Sequence, residues 1–192
     1  MEFFFNMLMN KILDFLTKDT LCSESKRNEL LYGLQVFSYN ILIVSSILIL
    51  ALIFHCFFST LLVFIVFGIL RILAGGYHFN SMGKCFLTTT TVIIGTGKLA
   101  HIIQFSLLST IFLCVVLNIV LLSHTPKGTE KNPFSATFSK LQKQRLQITS
   151  IILSCMALCI LQFRSCILLS MIVVVIFLLP VIIKKQHAHK SI

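Results

Sequence analysis

The chain contains six apolar runs that are separated by short polar segments, and this pattern constrains its fold more than any other feature. A helix needs about 20 predominantly apolar residues to cross the hydrocarbon core of a bilayer. Of the 192 residues, 57% are hydrophobic and 11% are charged, and the mean hydropathy is +0.97. A soluble core of this size cannot bury so much apolar surface. The sequence therefore predicts an all-α, polytopic integral membrane protein.

The predicted spans divide the chain into an N-terminal segment, a membrane domain and a tail. Residues 1–31 are predicted as an interfacial segment, 32–183 as a six-span membrane domain, and 184–192 as a basic cytoplasmic tail. The second span loses its clean apolar character at Arg71, so we expect it to be short, tilted or partly unwound near residues 74–76. The six spans cover residues 36–55, 57–74, 86–103, 105–123, 147–163 and 165–183.

The N-terminal segment carries an amphipathic pattern. Its apolar residues recur at helical spacing, so we expect a helix that lies on the membrane surface. The alternative is a helix that packs under the bundle. The apolar face comprises Phe5, Leu8, Met9, Ile12, Leu13 and Leu16.

The net charge of +10 is distributed asymmetrically around the predicted spans. Of the 16 lysines and arginines, all but Lys98 and Arg164 fall on one side of a six-span arrangement. Positively charged loops face the cytoplasm, so both termini are predicted to be cytoplasmic in a protein of the cell membrane. Because the basic residues flank apolar spans, the predicted partner is the lipid bilayer and not nucleic acid.

Seven cysteines are present, and most lie in apolar runs. An odd number so distributed argues against a disulfide framework and favours small apolar packing residues. No CxxC pair or histidine cluster indicates a metal site, and no cofactor is predicted.

The polar stretch RILAGGYHFNSMGKCF, residues 71–86, places a histidine and a cysteine between two spans. On one continuous helix His78 and Cys85 would lie about 10.5 Å apart along the axis, whereas a nucleophile and its base need about 3 Å. If they act together, residues 76–83 cannot form an unbroken helix, and Gly83 offers a second place to bend.

Cys85 would then begin the third span, where a helix N-terminus favours negative charge. A thiolate with a nearby imidazole suits acyl transfer. The alternative is that His78 and Cys85 are unrelated, that the glycines serve helix packing, and that Arg71 meets a lipid phosphate.

The same stretch resembles the signature of the AgrB family, the accessory gene regulator B proteins of Gram-positive quorum sensing. The resemblance extends to the overall length, the six-span pattern and two further segments. The matching residues are Arg71, Gly75, Gly76, Tyr77, His78 and Cys85, with YGLQVF at 32–37 and TPKGTEKNPF at 125–134.

The resemblance implies a cysteine endopeptidase that processes an AgrD-like propeptide into a thiolactone or lactone. It implies Cys85 as the nucleophile, His78 as the general base, and Arg71, Gly75 and Gly76 as substrate-binding or site-shaping residues. Candidates for a third member of the catalytic group are Gln35, Asn40, Asn80 and Glu130.

The loop at 124–146 carries dispersed basic residues, which serve either membrane topology or the docking of an acidic propeptide. The candidates for docking are Lys127, Lys131, Lys140 and Lys143. Two other functions stay open at this point: a small transporter or exporter of a peptide or ion that uses Lys98, and a non-enzymatic scaffold. A homodimer and export of the product are also left open.

Overall fold

The computed structural model describes residues 2–16, 24–75, 81–124 and 136–190. These residues form seven helices, which confirms the predicted all-α class. The helices are α1 (Glu2–Leu16), α2 (Glu24–Ile53), α3 (Phe57–Ala74), α4 (Met82–Ile102), α5 (Leu107–His124), α6 (Ala136–Cys159) and α7 (Leu161–Lys190).

Helices α2 to α7 lie at the six predicted spans. Three of them, α2, α3 and α7, are long and apolar enough to cross a membrane, and α5 contains a shorter apolar segment, Leu107–Ser123. The count of six membrane crossings stays a prediction. Helices α2 and α6 begin well before the apolar windows, at Glu24 and Ala136, because a helical backbone can continue into polar surroundings where water is available.

The break between the last two helices was predicted at Arg164 but lies at Ile160. Arg164 is inside α7 and is 7% exposed. Its guanidinium donates hydrogen bonds to backbone carbonyls at the end of α6, which allows the charge to be buried within the helix pair.

Helices α3 and α7 form the centre of the bundle. Val63 and Leu70 of α3 and Met171 and Val174 of α7 belong to one buried apolar cluster. The Ser170 hydroxyl lies 3.4 Å from the carbonyl oxygen of Val63 and donates to it. Further along both helices, Arg71 of α3 lies over the ring of Phe177 of α7. The two helices therefore run in the same direction.

Helices α3 and α4 approach closely at Gly97. A Cβ atom at this position would overlap the Thr60 side chain and would come within 2.7 Å of the Thr60 Cα atom. Both residues are buried, and only glycine leaves room for this contact. The crossing lies toward the end of α4 that is distant from Cys85.

Helix α1 packs against α2 through its apolar face. Met9 and Leu13 are buried, and Asp14 forms an ion pair with Arg27 of α2. This confirms an amphipathic N-terminal helix and matches the alternative in which it packs on the bundle. Its location at the membrane surface and the three-part division of the chain stay predictions.

Candidate active site

Cys85 lies in the first turns of α4 and is half-buried. Ser81 precedes the helix in extended conformation, with φ −114° and ψ 131°, and its carbonyl accepts a hydrogen bond from the Cys85 N–H at 3.1 Å. Cys85 therefore stands at the start of a helix, as predicted, and the crossing of the membrane by α4 stays a prediction. The bend suggested at Gly83 is wrong, because Gly83 is helical and the helix begins after Ser81.

Several predicted site residues lie outside the described residues. Gly76 and His78 belong to this group, so their position relative to Cys85 stays a prediction. The same holds for Lys127, Lys131, Asn80 and Glu130. Lys140 and Lys143 lie exposed on the first turns of α6, and their role in docking also stays a prediction.

Gly75 ends α3 in a conformation that only glycine adopts readily. Its φ is 74° and its ψ is −149°, a combination in which a side chain would strain the backbone. The Gly75 N–H donates to the carbonyl of Arg71 at 3.0 Å. The predicted break of the second span at the glycine pair is therefore seen at Gly75.

Arg71 lies one turn before this break and is half-buried. Its guanidinium donates to the carbonyl oxygen of Gly75 at 3.3 Å, and its central carbon lies 5.2 Å from the centre of the Phe177 ring. It is also close enough to Cys85 for their charges to interact. The structure thus brings together Arg71, Gly75 and Cys85, which are separate in the sequence.

Two residues near the sulfur were not identified from the sequence. The Tyr39 side chain is half-buried on α2, and it lies close enough to Cys85 for the two groups to interact electrostatically. The Thr89 hydroxyl lies 4.0 Å from the Cys85 sulfur. The spacing of four residues on one helix could have identified Thr89, but no local signal could have paired Tyr39 with Cys85.

The α2 candidates for a third catalytic residue lie beside Tyr39. Gln35 is half-buried one turn earlier, so it stays a candidate. Asn40 is exposed, and its amide donates to the carbonyl of Val36 in its own helix at 2.9 Å. The described part of α2 therefore presents Tyr39, and not Asn40, to the sulfur.

The opposite end of the bundle contains a cleft of about 710 Å³ between α3, α4 and α7. Its lining includes Phe58, His101, Gln104 and Arg164, and no predicted site residue is among the described residues that line it. The cleft is therefore separate from the cluster around Cys85.

Lys98 lies at the same distant end. It is exposed, and its ammonium group donates to the carbonyl of Phe54 at 3.2 Å. The lysine thus binds the connection between α2 and α3, which gives no support to a transport path that depends on it.

Comparison with known proteins identifies the family of the chain. Residues 9–183 match the family described as Accessory gene regulator B. The chain is 26% identical over 138 residues to the Accessory gene regulator protein B of Staphylococcus lugdunensis, covering 71% of this chain and 73% of that protein. No solved structure matches. Because the match spans nearly the whole sequence, including the Arg71–Cys85 stretch, the chain belongs to the accessory gene regulator B family.

Proposed function

We propose that the protein is a membrane-embedded cysteine endopeptidase that cleaves an AgrD-like propeptide and closes it into a ring. Family membership connects the chain with peptide processing in the accessory gene regulator system. The proposal depends on one observation above all. A half-buried thiol at the start of α4 lies within electrostatic range of a guanidinium from α3 and a phenol from α2.

In the proposed cleavage step, His78 accepts the proton of the Cys85 thiol as the sulfur attacks a peptide carbonyl. The tetrahedral intermediate collapses when the carbon–nitrogen bond breaks, and His78 returns the proton to the leaving amine. The C-terminal tail of the propeptide leaves, and the N-terminal portion stays bound to Cys85 as a thioester. The positive charge of Arg71 lies within electrostatic range of the sulfur, where we propose that it stabilises negative charge that develops during the attack.

In the proposed closure step, a cysteine or serine within the bound peptide attacks the thioester carbonyl. The new bond closes a thiolactone or lactone, the bond to the Cys85 sulfur breaks, and the sulfur regains a proton. Exchange between two thioesters is close to balanced in free energy, so limited access of water preserves the activated acyl group. The partial burial of Cys85 favours closure over hydrolysis for this reason.

The distribution of charge supports an acidic substrate. The sequence has no Asp or Glu between Glu29 and Glu130, and none after Glu130. The basic residues of the bundle therefore have few carboxylates of their own chain to bind. We propose that acidic residues of the propeptide tail dock on this basic surface at the cytoplasmic face. The residues proposed for docking are Lys127, Lys131, Lys140 and Lys143, and those proposed to shape the site are Arg71, Gly75 and Gly76.

The test uses the purified full-length protein in liposomes with a synthetic propeptide that has an amphipathic start, a central cysteine and an acidic tail. We expect mass spectrometry to show an acyl adduct on Cys85 and a cyclic product. Cys85→Ala should abolish both. Cys155→Ala is the matched control, because Cys155 is an exposed thiol on α6, and it should leave both unchanged.

Cleavage that persists in the Cys85→Ala protein would contradict the proposal. A transporter would instead move the peptide across the vesicle membrane without altering its mass.

A further inference from the structure

The cleft of about 710 Å³ between α3, α4 and α7 contains a buried cation. Arg164 lines this cleft and is 7% exposed. The three helices that form the walls contain no aspartate or glutamate, so none of them supplies a carboxylate to the guanidinium. A buried charge without an opposite charge beside it is costly. The cleft therefore favours an anionic ligand.

The guanidinium of Arg164 keeps hydrogen-bond donors for such a ligand. Of its five N–H groups, three donate to the backbone carbonyls of Ala157, Phe105 and Leu158, one from each nitrogen. One N–H on each of the two terminal nitrogens is left for a further acceptor. Phosphate and carboxylate oxygens accept two such groups in parallel. The backbone thus holds the side chain in place before any ligand binds.

The helix ends around the cleft add positive partial charge. Helix α3 begins here at Phe57 and α7 at Leu161, and neither has an acidic residue in its first turn. The N-terminus of a helix carries a partial positive charge, and the C-terminus a partial negative one. Only α4 ends at the cleft, with His101 in its last turn. Two positive ends and one negative end therefore meet beside Arg164.

The lining of the cleft changes from polar to apolar. The polar side chains of His101, Gln104 and Arg164 lie within about one turn of a helix end. Along α3 the lining is mainly apolar and recurs at helical spacing over about 10.5 Å. In a bundle that spans a bilayer, helix ends lie at the level of the lipid headgroups and helix interiors at that of the acyl chains. The apolar lining residues of α3 are Phe58, Leu61, Leu62 and Ile65.

We propose that the cleft binds an anionic phospholipid. Its phosphate accepts hydrogen bonds from Arg164, His101 and Gln104, and an acyl chain lies along the apolar residues of α3. A soluble anion would occupy the polar end only and leave the apolar lining exposed, whereas a phospholipid covers both. The bound lipid would contact three helices and so stabilise the bundle. This inference goes beyond the proposed peptidase activity and does not depend on it.

The first test compares ligands that share one chemical group. The purified full-length protein in a neutral detergent is titrated with dioleoyl phosphatidylglycerol, with dioleoyl phosphatidylcholine and with glycerophosphoglycerol, which has the same headgroup without chains. Native mass spectrometry measures the bound fraction. We expect phosphatidylglycerol to bind about tenfold more tightly than phosphatidylcholine, because its net charge is negative. Glycerophosphoglycerol should bind far more weakly than either lipid.

Two results of this titration would overturn the proposal. Equal affinity for the two lipids would show that the charge of the headgroup is not recognised. Binding of glycerophosphoglycerol as tight as that of phosphatidylglycerol would indicate a site for soluble anions and not for a lipid.

The second test locates the site with an exposed residue. Gln104→Glu places a carboxylate where it competes with the phosphate for Arg164, and we expect the affinity for phosphatidylglycerol to fall about tenfold. Gln144→Glu makes the same change at an exposed position of α6 outside the cleft, so it should leave the affinity unchanged. Both positions are exposed, which favours normal folding of both variants. Equal affinities in the two variants would overturn the proposal.

A third measurement follows the acyl chain. Phosphatidylglycerol with a photoreactive acyl chain is incorporated into liposomes with the full-length protein, and crosslinked peptides are identified by mass spectrometry. We expect labelling of residues 58–65 that unlabelled phosphatidylglycerol reduces at least tenfold when it is added in about tenfold excess over the probe. Labelling that the unlabelled lipid does not reduce, or that is absent from these residues, would show that no lipid is bound specifically in the cleft.

Discussion

Two arginines at opposite ends of the bundle are held in different ways. Arg164 is buried, and three of its nitrogens donate to the backbone carbonyls of Ala157, Phe105 and Leu158 at 3.1, 3.2 and 3.4 Å. Arg71 is only half-buried, with a donated hydrogen bond to Gly75 and a face-on contact with Phe177. The guanidinium of Arg164 joins backbone segments, whereas that of Arg71 lies within electrostatic range of the Cys85 sulfur.

This difference predicts a structural role for Arg164 and a functional role for Arg71. The carbonyls that bind Arg164 come from the end of α6 and the connection between α4 and α5, so the side chain joins α7 to α6 and to that connection. Arg71 contacts α7 and the turn at Gly75, and its charge reaches Cys85 of α4. We therefore expect loss of Arg164 to lower stability and loss of Arg71 to lower activity.

The largest expected effect is on stability. Arg164→Met keeps an unbranched apolar stem but leaves three carbonyls without their donor, and it should destabilise the fold by about 3 kcal/mol or more. Thermal unfolding in detergent measures the change. Processing activity per folded molecule should stay near that of the unaltered protein. A variant that unfolds normally but no longer processes peptide would break the distinction between the two arginines.

The second effect should appear in catalysis. Arg71→Gln removes the charge beside Cys85, so we expect kcat/KM to fall at least tenfold, as for the loss of a charge-assisted interaction of about 1.5 kcal/mol or more. The unfolding temperature should change little. Lys84→Gln removes an exposed charge from the position next to Cys85 and serves as the control. Equal losses in both variants would indicate a general effect of charge and not a specific role for Arg71.

The smallest effect concerns the aromatic contact of Arg71. Phe177→Leu removes the ring under the guanidinium, a contribution of about 0.5–1 kcal/mol, and kcat/KM should fall about twofold to fivefold. Phe177 also packs edge-on against Phe67, with ring centres 5.9 Å apart, so a small loss of stability is expected. In an Arg71→Gln background the catalytic effect of Phe177→Leu should disappear. Independent, additive effects in this double-mutant cycle would show that the ring does not act through Arg71.

The sequence predicted the features that depend on local chemistry. The lengths of the apolar runs indicated helices α2 to α7, and the glycine pair indicated the end of α3, which is seen at Gly75. The start of α4 near Cys85 could also be predicted, because polar and glycine residues interrupt the apolar pattern there. These features are encoded by neighbouring residues.

Contacts between distant residues could not be predicted in the same way. Tyr39 and Cys85 meet because α2 packs against α4, and Arg71 meets Phe177 because α3 runs beside α7 in the same direction. Apolar runs do not specify their neighbours, since in lipid many faces of a helix can be apolar. Arg164 was predicted to lie between the last two spans, and its three carbonyl partners could not be foreseen.

The contact at Gly97 has a consequence for Cys85, although the two residues lie at different ends of α4. The helix between them is continuous, and at a rise of 1.5 Å per residue the distance along its axis is about 18 Å. If this contact acts as a pivot, a tilt of about 5° would move the thiol by roughly 1.5 Å over that length. Displacements of about 1 Å can slow catalysis a hundredfold. If Cys85 is the nucleophile that we propose, a missing side chain at Gly97 would thus set the position of the reacting sulfur several turns away.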